Sequence, residues 1–296
     1  MVRLFRRENF DLIHVSGGSW QYKGAIAGKL AGLPVLWHLN DTSMPLLFLR
    51  VFGLLSGLAT GYAYASERTK TYYKPYVKPG RFEFTIAAPV DTEHFNPSVY
   101  QEDDELTSQL EGKLVIGTVA NPSPVKELET FLRMAASLQK QHSGHLAFVV
   151  VGKVHYRQQS YFHSLQKLTS NLGLQDLHWA GLRQDVRPLL QRFDVYVCTS
   201  KAESSPISVW EALSMAKPVV STDVGDVSQY VQEGHNGFVV PVGDAQALAS
   251  KVQLLLADPK LRYTLGRHAR QVARQHLDVS HCGESHLNAY QSLISK

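Results

Sequence analysis

The sequence predicts an α/β protein built of two parallel-sheet domains, the first of them incomplete. Short runs rich in Val and Ile alternate with amphipathic stretches along the chain, the pattern of repeated strand–helix–strand units. Those runs are apolar throughout rather than at every second residue, as strands covered by helices on both faces are. The 296 residues exceed what one ordinary core needs, and a polar break divides them after the first third.

Before the break the candidate strands are DLIHVS, PVLWHLN, TGYAYAS and FEFTIAA. Four are too few for a complete doubly wound half of the usual order. The break itself, residues 96–112 (NPSVYQEDDELTSQLEG), is polar, holds Pro97 and carries an acidic run at 102–105 that reads as a solvated linker rather than a metal site. Beyond it follow KLVIGTV, HLAFVVVG, LHWAG, DVYVCTS, PVVST and GFVVPV. The stretches ELETFLRMAASLQKQ, YRQQSYFHSLQKLTSNLG and AQALASKVQLLLAD place apolar residues at helical spacing among them. The expected division is residues 1–100, residues 112–276, and a C-terminal helix within 277–296 that returns to the first domain.

Composition excludes several classes. Hydrophobic residues make up 44% and charged residues 19%, as in ordinary globular proteins. A formal net charge of +4 suits phosphate-bearing ligands or an anionic lipid surface and is too weak for nucleic acid. The 2 cysteines, Cys198 and Cys282, lack metal-ligand spacing, and Cys198 within DVYVCTS reads as a buried free thiol of a reducing compartment. The first residues carry charge but no apolar stretch of signal-peptide length. The most apolar segment, residues 44–65, contains Arg50 and three glycines, so a buried helix or an apolar face resting on a membrane fits it better than a span. The expected location is cytoplasmic, with peripheral contact at the inner face of the membrane.

The strongest chemical signal is DVYVCTSKAESSPISVWEALSMAKPVVS, residues 194–221. A buried strand ends near Thr199, a polar loop follows, and a helix starts with Ser205 as the natural N-cap and Pro206 at the first helical position. The N–H groups of Ile207 and Ser208 then lie free at the carboxyl edge of a parallel sheet, where a helix N-terminus receives phosphate. Glu203 precedes the helix and Glu211 lies within it. A carboxylate beside phosphate is electrostatically unfavourable, so Glu203 suits sugar hydroxyls or positive charge developing at an anomeric carbon. By spacing alone the pair is equally consistent with two solvated acids at a helix start, where the dipole favours them.

Glu203 and Glu211 with seven residues between them, followed by ALSMAKPVVSTDVG and GHNGFVVPVGD, resemble family 4 of the retaining glycosyltransferases, whose fold is GT-B: two Rossmann-like domains facing across a cleft. LVIGTVANPSPVKELETFLRMA is similar to that family's phosphate-binding segment, and VDTEHFNP to its segment before the interdomain linker. The resemblance reaches from Asp11 to the C-terminus. It implies transfer of a hexose-type sugar from a nucleotide-diphosphate sugar to a glycan or lipid-linked acceptor, with retention, as in polysaccharide biosynthesis. Lys126 matches the lysine on the donor diphosphate, Glu211 the residue gripping the ribose, and Glu203 the one facing the transferred sugar. Ser204 and Ser205 match the small residues along the phosphates, and His38 the first-domain histidine near the reacting sugar. Asn121 stands where the family often has an arginine, which removes a bidentate phosphate contact. Asp41 and the loop Gly17, Gly18 and Ser19 are acceptor-side candidates at the same sheet edge. No Asp-x-Asp motif is present, so no metal ligands, no obligatory metal and no cofactor are expected.

The family's opening strand and glycine-rich loop have no counterpart before Asp11. Either the protein starts upstream, or an oligomer or partner chain covers the incomplete sheet, since an open parallel edge is an association hazard. Two other readings remain at this point. One is a non-catalytic nucleotide-sugar-binding subunit that needs a partner chain to complete its first domain. The other, a sugar-nucleotide epimerase of related fold, matches the motifs less well.

Overall fold

The computed structural model describes residues 1–99, 105–142 and 144–295. Most of the acidic run at 102–105 lies outside the described residues, as does the side chain of Ser19. The chain divides into two compact units: one of Met1–Pro89, Glu203–Ser205 and Val279–Lys296, the other of Val90–Ala202 and Pro206–Asp278.

Unit 1 runs α1 (Val2–Arg7), β1 (Ile13–Val15), α2 (Tyr22–Ala31), β2 (Val35–Leu39), α3 (Leu46–Leu55), β3 (Gly61–Tyr64), α4 (Glu67–Tyr73) and β4 (Phe82–Thr85). Its four strands are parallel and lie in the order β1-β2-β3-β4, advancing in one direction. A sheet that advances in one direction contains no reversal of strand order. One face packs Trp37, Tyr62, Tyr64, Tyr73 and Phe52 into an aromatic core. The other face packs Leu36, Ala63 and Ile86 against Ala289 and Leu293, four residues apart on a C-terminal helix of this unit, Val279–Ile294 (α13, once the helices of unit 2 are counted). That spacing puts both on one helical face.

Unit 2 runs α5 (Glu105–Gln109), β5 (Leu114–Val119), α6 (Leu128–Gln139), β6 (Leu146–Val151), α7 (Gln159–Leu172), β7 (Leu177–Gly181), α8 (Arg187–Arg192), β8 (Val195–Cys198), α9 (Ile207–Ser214), β9 (Val219–Thr222), α10 (Val227–Tyr230), β10 (Gly237–Val240), α11 (Ala245–Ala257) and α12 (Pro259–Val272). The six strands are parallel in the order β10-β9-β8-β5-β6-β7. β6, β8 and β9 are buried at every residue, which explains why their sequences show no alternation. α6 buries Leu128, Phe131, Leu132, Ala135 and Leu138, one stripe at helical spacing.

Sheet order fixes where a ligand can bind. The strands run outward from β5 on one side and from β8 on the other, so the order reverses between these two neighbours. Beyond the carboxyl ends of β5 and β8 their helices leave to opposite faces, and a crevice opens there. Gly152, just past β6, lets the chain approach closely at this edge: a Cβ on it would lie 2.3 Å from the Ala120 carbonyl oxygen.

The division between units falls at Pro89, ahead of the polar segment that sequence marks. Residues from Val90 onward are tied into unit 2: the Val90 N–H donates to the Leu277 carbonyl (2.8 Å), the Thr92 hydroxyl to Asp278 (2.6 Å), and the Arg270 guanidinium to the carbonyls of Thr92, Phe95 and Ser214.

Candidate functional site

The β5–α6 and β8–α9 loops border the crevice of unit 2 and are bonded to each other. The Lys201 N–H donates to the Val125 carbonyl (2.9 Å), and the buried Thr199 hydroxyl donates to the Lys126 carbonyl (2.8 Å). From the neighbouring strand end, the buried Thr222 hydroxyl donates to the Ser200 carbonyl (2.6 Å). Three strand ends thus hold the β5–α6 loop at Lys126 and the first residues of the β8–α9 loop together. Sequence reasoning missed Thr199 and Thr222. The available signal was two threonines at the carboxyl ends of otherwise apolar strands.

Glu127, directly after Lys126, occupies the left-handed region (φ 46°), with its carboxylate Oε2 buried and without a hydrogen-bond partner. A side chain in that conformation is strained by about 1–2 kcal/mol, and a strained residue with an unsatisfied buried acceptor is typical of functional loops. Asn121 has a local task. Its amide oxygen accepts the Lys153 N–H (2.7 Å), which fixes the β5 and β6 loops and commits that atom within the fold.

The start of α9 differs from the sequence expectation. Pro206 is the N-cap rather than the first helical residue, helix begins at Ile207, and no side chain caps it. The Ser205 hydroxyl oxygen instead accepts the Ala88 N–H (3.0 Å). The uncapped first turn, including the N–H groups of Ile207 and Ser208, is an anion-binding end. One turn further, Glu211 is largely desolvated, and burial pushes its carboxyl up to about 7. The buried Tyr196 phenol is likewise held above its ordinary value by burial, and it is bonded to the Ser208 side chain. Glu203, Ser204 and Ser205 group with unit 1, where the Ser204 hydroxyl donates to the Asn40 carbonyl (2.7 Å). A cavity beside α12, lined by Tyr263, Arg267, Arg270 and Arg274, holds none of the sequence-predicted residues.

In unit 1, Gly17 and Gly18 both lie at positive φ (112° and 78°) and open a 3-10 turn, Gly18–Trp20, where an open loop was expected. Glycine is favoured at 18 on two counts, its φ of 78° and the 1.9 Å that would separate a Cβ there from an Asp41 carboxylate oxygen, and its carbonyl accepts the Trp37 indole N–H (3.0 Å). Asp41 accepts the hydroxyl of buried Tyr73 (2.7 Å). Asp41 and the glycine turn therefore touch, as one edge of the sheet. His38 ends β2 half-buried, and burial together with the nearby His14 and His286 pushes its imidazole down to about 4.

The family model of the glycosyl transferases group 1 matches residues 101–272. The chain is 25% identical over 287 residues to the N-acetyl-alpha-D-glucosaminyl L-malate synthase of Bacillus anthracis, covering 92% of this chain and 72% of that protein. It is 33% identical over 118 residues, 40% of its length, to the Campylobacter jejuni N,N'-diacetylbacillosaminyl-diphospho-undecaprenol alpha-1,3-N-acetylgalactosaminyltransferase. The chain spans 31% of that relative's length, and between 32% and 58% of three others. Among solved structures, Anabaena Alr3699/HepE in complex with UDP and glucose superposes with a TM-score of 0.87 at 24% identity, over 99% of this chain and 81% of that one, which shows the GT-B fold.

Proposed function

Because the chain belongs to the glycosyl transferases group 1 family, we propose that it moves a sugar, with retention, from a nucleotide-diphosphate sugar to a glycan or lipid-linked acceptor. The observation that carries this is the bonded pair of loops at the β5/β8 reversal: the loop holding Lys126 is tied to the strand end whose following loop leads into an uncapped helix N-terminus. Cation and aligned N–H groups together oppose the charge that develops on a departing diphosphate, and they need no reorganisation as it departs. Pro206 keeps that end open, and Ile207 and Ser208 supply the donors.

Glu211 accepts the ribose hydroxyls, which replaces the water that its desolvated carboxylate lacks. Glu203 faces the transferred sugar and stabilises oxocarbenium-like charge, while His38 in its neutral form hydrogen-bonds a sugar hydroxyl. No metal on the diphosphate is required in this scheme, because Lys126 and the helix end supply the positive potential.

Lipid-linked acceptors fit a second feature. α3 exposes Leu46, Leu47, Phe48, Val51 and Leu54, and exposed Trp20 packs on Phe48 with ring centroids 3.9 Å apart. α1 exposes Arg3, Arg6 and Arg7. Apolar and aromatic side chains on α3 and cations on α1 of the same unit suit an anionic membrane surface, and among the described residues no helix is long and apolar enough to cross a membrane. The reading of a non-catalytic subunit draws no support from the relatives, which are named as transferring or synthesising enzymes. Nuclear magnetic resonance of the product tests the proposal: a product with the donor's anomeric configuration agrees with it, and an inverted product overturns retention.

A further inference from the structure

Three histidines from distant parts of the chain meet in unit 1. In the β1–β2 register His14 lies opposite Leu36, and His38 lies two residues further along β2, so the period of two puts all three side chains on one face of the sheet. That face packs on α13, whose inward stripe includes Ala289, Tyr290 and Leu293. His286 lies one turn before Tyr290 on the same stripe. The ring centroids of His14, His38 and His286 are 5.5, 5.5 and 5.7 Å apart, and one nitrogen from each lies within 4.8 Å of the other two.

We propose that His14, His38 and His286 form a binding site for a divalent transition-metal ion of the zinc class. Outer hydrogen bonds already orient two of the three rings as ligands. His286 Nδ1 lies 2.8 Å from the Cys282 carbonyl, which can only accept, so Nδ1 donates there and Nε2 is the nitrogen left for an ion. His14 Nδ1 lies 2.8 Å from the Tyr290 hydroxyl, and its Nε2 is buried without a hydrogen-bond partner. A ring nitrogen fixed by a carbonyl or hydroxyl on one side and bare on the other is the usual arrangement of a metal-bound histidine.

Hydrogen bonding among the three offers no equivalent satisfaction. No hydrogen bond to the His38 ring is made among the described residues, and that ring stacks on His14 with centroids 5.5 Å apart. A cation would engage all three lone pairs at once. Zinc–nitrogen bonds of about 2.0–2.1 Å in tetrahedral geometry separate the nitrogens by about 3.3 Å, so the rings close in by side-chain rotation with the backbone in place. Three imidazoles without carboxylate select zinc, copper or nickel over magnesium or calcium. The fourth position remains for water or a ligand oxygen. No sequence spacing betrays this site, because its ligands come from two strands and a distant helix. The absent Asp-x-Asp motif, which led to the expectation of no metal, concerns carboxylate ligands only.

The inference does not depend on the proposed transfer reaction, and its test reads binding alone. Metal-stripped protein is titrated with Zn²⁺ by calorimetry and with Co²⁺ by visible absorption, for the native chain and for His14→Ala, His286→Ala and Cys282→Ser. One equivalent per chain is expected. The Co²⁺ spectrum should show ligand-field bands without a thiolate charge-transfer band, Cys282→Ser should bind normally, and each histidine variant should lose at least about tenfold in affinity. Zn²⁺ should also raise the native Tm and leave that of His286→Ala unchanged. Should the histidine variants fail to fold, the native Co²⁺ spectrum and stoichiometry decide alone. Absence of a stoichiometric Co²⁺ complex in the native protein, or equal affinity in a folded His286→Ala, would mean that the three rings merely pack together and overturns the site.

Discussion

The Thr199 hydroxyl donates to the Lys126 carbonyl across the reversal of strand order, so the residue proposed to meet diphosphate is positioned by the strand that leads into the proposed phosphate-binding helix. Thr199→Val keeps shape and β propensity and removes this bond. Nucleotide-diphosphate affinity, measured by calorimetry, should fall about fivefold, the worth of one such bond, and Thr199→Ser should restore it. Unchanged affinity in Thr199→Val would mean that the loop holds Lys126 without it.

Glu211 predicts a pH dependence with a definite sign. Its folded-state pKa is raised from 4.5 to about 7 by desolvation, so the fold favours the protonated acid. The stability this contributes is present in full below pH 4.5 and is lost as pH rises through 7. Glu211→Gln should therefore be more stable than the native chain at pH 8, by roughly 1–3 kcal/mol in denaturant unfolding, and nearly equal at pH 4. Donor binding needs the ionised form, so its Kd should weaken by about tenfold per pH unit below 7, and Glu211→Gln should bind weakly at every pH.

Glu203→Gln should retain donor affinity and lose turnover by about 100-fold or more, because the charge acts on the transition state rather than on the bound donor. Calorimetry and released nucleotide diphosphate measure the two separately. Equal loss in both would reassign Glu203 to binding.

Ala216 ends α9 in the left-handed region (φ 55°), where its N–H reaches the Leu213 carbonyl and that of Lys217 the Ala212 carbonyl. Helix ends of this shape prefer glycine. Ala216→Gly should stabilise unit 2 by about 0.5–1 kcal/mol in denaturant unfolding, the relief of left-handed strain less the entropy of glycine. Destabilisation would contradict this.

Leu47→Glu and Leu54→Glu alter side chains that are 69% and 86% exposed, so folding should be unaffected. Sedimentation with anionic vesicles should drop by at least about tenfold, the effect of removing one buried leucine from a bilayer interface. Equal sedimentation would remove α3 from the membrane contact.

Much of this was legible in the sequence. The ten strands of the described residues fall within the runs that their Val, Ile and aromatic content marks, most plainly in β3, β6, β8 and β9, where burial at every residue leaves a continuous apolar signature. α6, α7 and α11 follow from their periodicity. α12 escaped notice because its buried residues, Leu265, Gly266 and Ala269, are few and small among arginines. The segments bearing Lys126 and bearing Glu203 with Glu211 were marked because each motif is contiguous in sequence, the first between β5 and α6, the second between β8 and the end of α9. Ser205 was misjudged since capping preference is local, whereas its hydroxyl answers to Ala88, far away in the chain. Nothing local signals the meeting of His14, His38 and His286 either, because only the sheet register and the packing of α13 create it.

The central claim is that Lys126 and the start of α9 hold a nucleotide diphosphate. Calorimetric titration of the native chain and of Lys126→Ala with UDP, GDP and their sugars tests it most directly. One nucleotide series should bind the native chain, and Lys126→Ala should weaken it by about 10- to 100-fold, as expected for a lost charged contact. Binding of none of them, or equal binding to Lys126→Ala, would contradict the account.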